Sequence, residues 1–230
     1  MQISSTERTQ IFYARVAGFV YLLLIALFMS GEFLISGIVG NGSFATAAQN
    51  VASSEHLYRF ALILQTMTSV FTVVLAYALY VTVAPINQRL AQVALIFRLG
   101  EIFVGAVAVI FSFDQLRIYL SFNAAKNANL EQWQALFAVA RNAHFVGFNI
   151  ATLFFSFGSI LFFSLFFRSR YLPKIQSAFG IFASIMVALT SIGSLVVPEY
   201  ADIVQFGFAP IFISEIVTGL WLLCRGIKLA

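Results

Sequence analysis

Val16 to Val39 read VAGFVYLLLIALFMSGEFLISGIV, an apolar run with a single charge, Glu32, inside it. A helix that crosses the hydrocarbon core needs about 20 mostly apolar residues, and this run exceeds that length. It is also longer than the roughly 7–15-residue core of a secretory signal. Ala45-Thr46-Ala47 resembles a cleavage site but lies well beyond where such a core would end. The run therefore predicts a membrane-spanning helix rather than a removable leader, and the rest of the chain repeats its character.

Hydrophobic residues make up 61% of the chain and charged residues 10%, with a mean hydropathy of +0.94. A soluble domain carries about 25% charged residues, and a chain of this length has too much surface to hide so many apolar side chains from water. Lipid is the solvent that accommodates them. The 27 Phe and 8 Tyr suit lipid-facing and interfacial positions. A lone cysteine, Cys224, excludes a disulfide framework and a thiolate metal cluster. The formal net charge of +4 falls at the ends of apolar runs, so it reports topology and no nucleic-acid partner.

The length criterion predicts six spans, near 14–39, 57–83, 90–113, 143–167, 173–197 and 204–226. The fold class is all-α, a polytopic membrane bundle forming a single transmembrane domain over 1–230. Gly40-Asn41-Gly42-Ser43, Pro85-Ile86-Asn87 and Pro198-Glu199 end the first, second and fifth spans, and Pro173 suits a first helical turn. The stretch 114–142 carries Asp114, Arg117, Lys126, Glu131 and Arg141, and is expected to be an extracytoplasmic connection with an amphipathic helix. Arg8, Arg15, Arg89, Arg168, Arg170, Lys174, Arg225 and Lys228 fall on one side of the six spans; Arg59, Arg117, Lys126 and Arg141 fall on the other. The positive-inside rule makes the first side cytoplasmic, so both termini are expected inside.

Four charges remain within apolar runs: Glu32, Arg98, Glu101 and Glu215. Each costs at least ~2.5–3.5 kcal/mol on insertion scales unless it finds a partner or water, so the four are expected to be neighbours. At a rise of about 1.5 Å per residue, Arg98 and Glu101 lie roughly 14 and 18 Å from the level of Arg89. Glu215 lies about 15 Å from Arg225, which puts three charges in one central layer. Glu32, about 26 Å from Arg15, falls in an outer tier with His144, Asn149 and Gln65. Arg98 and Glu101 are three apart and share a helix face, and the arrangement expected is Arg98 paired with both Glu101 and Glu215. Glu32, Glu101 and Glu215 each follow a small residue (Gly31, Gly100, Ser214) and precede a glycine (Gly37, Gly105, Gly219), the kind of residue that lets membrane helices approach closely. Pro210, one turn before Glu215, is expected to kink the sixth helix and free a carbonyl there.

Other chemistry finds no support. No lysine falls in the interior of a span, Lys174 standing at the very end of the fifth, which excludes intramembrane lysine chemistry such as a retinal Schiff base. There is no closely spaced histidine pair for zinc, no nucleotide loop and no nucleophile elbow. His56 reads as a loop residue. No cofactor is specified by these patterns, and no metal site.

Several phrases resemble a bacterial multi-pass membrane family described as a domain of unknown function, of the DUF4386 type. They are Ala14-Arg15-Val16-Ala17-Gly18-Phe19-Val20-Tyr21-Leu22-Leu23, Phe97-Arg98-Leu99-Gly100-Glu101, His144-Phe145-Val146-Gly147-Phe148, Phe167-Arg168-Ser169-Arg170-Tyr171-Leu172-Pro173, and Ser214-Glu215 with Leu220-Trp221-Leu222-Leu223. The resemblance implies a bacterial cytoplasmic-membrane protein and brings no activity with it. Members of that family often carry a second histidine on the fourth helix, where this chain has Gly158, so a two-histidine metal or haem site is not implied here.

Three functions compete. The first is binding or transport of a small molecule, lipid or ion at a polar cavity, with Glu32 and His144 at its mouth, Arg98, Glu101 and Glu215 at its base, and Asn149 a further candidate ligand-binding residue. The second is a membrane-embedded enzyme acting on a lipid or prenyl substrate, whose signature would be a carboxylate–His144 contact. The third is a structural or signalling subunit whose buried charges only fix helix packing. No internal repeat is visible, which argues against conventional alternating access. Membrane lipids are the expected partners, and a homo-oligomer is left open.

Overall fold

The computed structural model describes residues 5–125, 129–200 and 205–228; Lys126 and Val204, the latter the first residue of the expected sixth span, lie outside them. The described residues form seven α-helices and no strand: α1 (Ser5–Val39), α2 (Phe44–Ser53), α3 (Glu55–Val83), α4 (Gln88–Ala124), α5 (Leu130–Ser169), α6 (Lys174–Val196) and α7 (Ala209–Cys224). Single 3-10 turns occupy Pro198–Tyr200 and Gln205–Phe208. Six helical stretches are long and apolar enough to cross a membrane, namely α1, α3, α4, α5, α6 and Phe206–Cys224. The protein is a multi-pass helical membrane protein.

Helix ends follow local chemistry. α1 stops where Gly40 adopts a left-handed φ of 66° and its N–H reaches the Ser36 carbonyl. Ser43 then caps α2, its hydroxyl accepting from the Thr46 N–H at 3.2 Å. This short helix escaped the sequence reading, although its cap and the buried Ala47, Ala48 and Val51 signal it. The stretch 114–142, expected to include an amphipathic helix, is mostly helical over its described residues. Residues 114–124 continue α4 and residues 130–142 open α5, because their polar side chains favour helix as well as apolar ones do and only leave the bilayer criterion behind. Pro210 does not kink a helix. It sits in the first turn of α7, where its missing N–H would have had no partner anyway.

By their contacts the residues fall into two compact units. Unit one comprises Met1–Ile25, Val70–Phe103 and Asn149–Ala230; unit two comprises Ala26–Ser69 and Val104–Phe148. Nothing in the residue pattern marks this division, since α1, α3, α4 and α5 each contribute to both units without a break.

The core of unit one gathers Ala14, Ala17, Tyr21, Leu79, Ala94, Phe162, Phe166, Val187 and Leu222 from six helices. α1 crosses α7 closely: a Cβ placed on Gly18 would stand 2.7 Å from the Gly219 carbonyl oxygen. Small residues there let the backbones close, which supplies dispersion contact where lipid offers no hydrophobic drive. Buried Gln10 ties this unit together, donating from Nε2 to the Thr82 carbonyl (2.9 Å) and the Tyr171 hydroxyl (3.0 Å). Unit two is held by an aromatic-rich core of Val51, Tyr58, Leu62, Leu116 and Tyr119, with Phe44 and Phe137 packed against it. Tyr119 and Phe137 have ring centroids 4.6 Å apart.

Candidate functional site

The central charges lie in unit one. Arg98 and Glu101 stand one turn apart on α4, and Arg98 Nη1 lies 3.1 Å from Glu101 Oε2. The two partners differ in access: the Arg98 side chain is 3% exposed and that of Glu101 is 19% exposed. Arg98 reaches its position because α5 makes room for it. Gly158 leaves the space beside its stem, where an added Cβ would be 3.0 Å from Arg98 Cδ. The Phe155 ring, on the same helix, lies 4.8 Å from the guanidinium carbon. A side chain larger than glycine at 158 would occupy the volume of the Arg98 stem.

Glu215 on α7 is half-buried and lies within electrostatic range of both Arg98 and Glu101. The expected second ion pair does not form. Among the described residues Glu215 has no basic group within 4.0 Å, because the Arg98 head is taken up by Glu101 and the Phe155 ring. Gln176 on α6 steadies the α7 segment, donating from Nε2 to the Ser214 carbonyl (3.0 Å) and the Thr218 hydroxyl (2.8 Å). Tyr21 on α1, 4% exposed, lies within electrostatic range of Arg98, Glu101 and Glu215. Sequence reasoning missed Tyr21 and Phe155. Tyr21 could have been found from Gly18, three residues before it and so on the face that packs against α7.

The cluster is incompletely satisfied. Arg98 Nε and Nη1, Glu101 Oε2 and Ser214 Oγ are buried and make no hydrogen bond; the 3.1 Å ion pair lacks hydrogen-bond alignment. A buried polar group left this way costs about 1–3 kcal/mol, and more if charged. Asn149, also in unit one, is 2% exposed, and its backbone carbonyl accepts from Thr152, whose hydroxyl meets Ser191 of α6 at 2.7 Å.

Glu32 and His144 belong to unit two. Gln65 on α3 donates from Nε2 to Glu32 Oε1. The pair meets because α1 runs close to α3 at Gly31, where an added Cβ would be 3.2 Å from the Ala61 carbonyl oxygen. His144 Nδ1 lies 3.0 Å from both the Ala108 carbonyl and the Ser112 hydroxyl on α4. The carbonyl can only accept, so Nδ1 carries the proton in the neutral ring. Gly147 permits this contact, since a Cβ there would be 3.0 Å from Ala108 Cβ. Among the described residues His144 touches no carboxylate, and no three His, Cys, Asp or Glu side chains gather to hold a metal.

The family model described as "Domain of unknown function (DUF4386)" matches residues 16–226, a range that includes every charged residue of both groups. The chain belongs to the DUF4386 family. No curated protein and no solved structure matches it. DUF4386 membership assigns no chemistry, so the function has to be read from the geometry above.

Proposed function

We propose that this DUF4386 protein binds a small cation, or a small molecule rich in N–H and O–H donors, at Arg98, Glu101 and Glu215 within the membrane. One observation carries the reading. The Arg98 side chain is 3% exposed, while that of Glu101 is 19% exposed with its Oε2 buried, and Glu215 is half-buried, so what partial access there is lies on the carboxylate side. One guanidinium against two carboxylates leaves a negative charge uncompensated, and intramembrane carboxylates so placed mark ion and substrate paths more often than they mark packing. Arg98 then serves as the fixed counter-charge that makes two carboxylates tolerable in one site. The same topology, with basic residues at the inner ends, supports a bacterial cytoplasmic membrane with both termini inside.

The enzyme reading called for a carboxylate–histidine contact. The partners of His144 are a hydroxyl and a carbonyl, so binding is preferred over catalysis.

The test is thermal unfolding of the purified protein against Na⁺, K⁺ and ethylammonium, with choline holding ionic strength constant. A ligand at 100 times its Kd adds about 2.7 kcal/mol of stability. At least one cation should raise the melting temperature in a saturable manner, and Glu215→Gln should abolish the response. If no cation acts, or if Glu215→Gln responds like the parent, the reading fails.

A further inference from the structure

The second carboxylate locus, Glu32 with Gln65, belongs to neither the Arg98 cluster nor its proposed ligand. Glu32 is exposed on α1 in the company of Phe28 (41% exposed), Met29 (49%) and Phe33 (80%), an apolar surface of the kind that faces lipid. Among the described residues no arginine, lysine or histidine stands within 4.0 Å of it. Its one hydrogen-bond partner among the described residues is Gln65, which is 8% exposed. A carboxylate only accepts, so the Gln65 amide must present its NH₂ to Glu32. That orientation leaves Gln65 Oε1 buried and without a partner. The locus therefore has acceptors and negative charge in surplus, and its one amide donor is already spent. The Tyr58 hydroxyl is within electrostatic range of Glu32 but makes no hydrogen bond to it.

The complement of such a site is a cation carrying N–H donors. Its position narrows the source. Glu32 lies about 26 Å along α1 from Arg15, and the hydrocarbon core is about 30 Å thick. The carboxylate thus reaches the headgroup boundary of the leaflet opposite Arg15, on a surface open sideways to the bilayer. What can arrive there laterally is a lipid headgroup.

We infer that Glu32, held in place by Gln65, is a binding site for the primary ammonium headgroup of an aminophospholipid. A primary ammonium offers three N–H donors and a positive charge. A choline headgroup has the charge but no donor, and anionic headgroups are repelled. Gln65 is a positioning residue: its N–H orients the Glu32 carboxylate towards the lipid.

The experiment reconstitutes the full chain in nanodiscs of phosphatidylcholine with and without phosphatidylethanolamine and measures lipid retained on extraction by native mass spectrometry. Phosphatidylethanolamine should be enriched over phosphatidylcholine by about tenfold, the effect of one charge-assisted hydrogen bond. Glu32→Gln should bring retention down to the bulk lipid ratio, and Gln65→Leu should reduce the enrichment partly. Glu215→Gln should retain it, which separates this site from the Arg98 cluster. Equal retention of the two lipids, or unchanged enrichment in Glu32→Gln, overturns the inference. A third arm adds free ethanolamine to phosphatidylcholine discs carrying a trace of phosphatidylethanolamine. Complete displacement of the lipid there would overturn the lipid assignment and make the site one for soluble amines.

Discussion

Unit one and unit two each hold ionisable groups inside an apolar protein, and they do so by opposite means. In unit one the charges are buried together: Arg98 is enclosed by Glu101, Phe155 and the space left by Gly158, with Glu215 and Tyr21 within range. In unit two the two candidate site residues are met by neutral dipoles: Glu32 by the Gln65 amide, His144 by the Ala108 carbonyl and the Ser112 hydroxyl. Mutual neutralisation lets charges sit deep but leaves each one dependent on the others. Dipolar support tolerates the loss of a partner but keeps the charge near a surface. Unit one is therefore where a single substitution should be felt by several residues, and unit two is where it should stay local.

The largest expected effect tests that dependence. Arg98→Met leaves two carboxylates without a counter-charge, and removing one partner of a buried ion pair costs about 3–5 kcal/mol. The combined variant Arg98→Met, Glu101→Leu, Glu215→Leu should recover most of that loss in denaturant unfolding. Equal or greater instability in the combined variant would break the comparison, because the three residues would then act independently.

Gly18→Ala comes next. Its new methyl meets backbone atoms of α7 that cannot turn aside, and overpacking of this kind costs about 1–3 kcal/mol. Gly37 in unit two is the contrasting site, with nothing within 4 Å of an added Cβ. Gly37→Ala should stabilise its helix by up to ~1 kcal/mol through propensity alone. Both can be read from unfolding midpoints in detergent.

Smaller still is Ser112→Ala, expected to lose about 1 kcal/mol because the Ala108 carbonyl continues to hold His144. Smallest is Glu32→Gln in lipid-free detergent, expected within ~0.5 kcal/mol, since Gln65 still has a carbonyl to meet and the site is exposed. A large loss there would show that Glu32 is a structural charge after all.

The family and the membrane character were legible because both rest on composition and on long unbroken patterns. Arg98 and Glu101 were legible as a pair because three-residue spacing on a helix is sufficient geometry. Glu215 was rightly placed within reach of them, but its direct pairing with Arg98 was not decidable from spacing. Which of two carboxylates an arginine meets depends on side-chain room, set here by Phe155 and Gly158 of a different helix. Pro210 was misread for a similar reason: a proline kinks a helix or begins one according to where the preceding turn ends, and residues 205–208 form a 3-10 turn that ends just before it. The division into two units left no trace in the sequence, because continuous helices carry no local signal of where their packing partners change.

The central claim is that the Arg98 cluster takes a ligand and does not merely fix packing. It is tested most directly by the cation dependence of the melting temperature in the combined variant Arg98→Met, Glu101→Leu, Glu215→Leu, measured beside the parent protein. The account predicts a folded variant that no longer responds to the cation that stabilises the parent. A variant that folds and responds just as the parent does would contradict it.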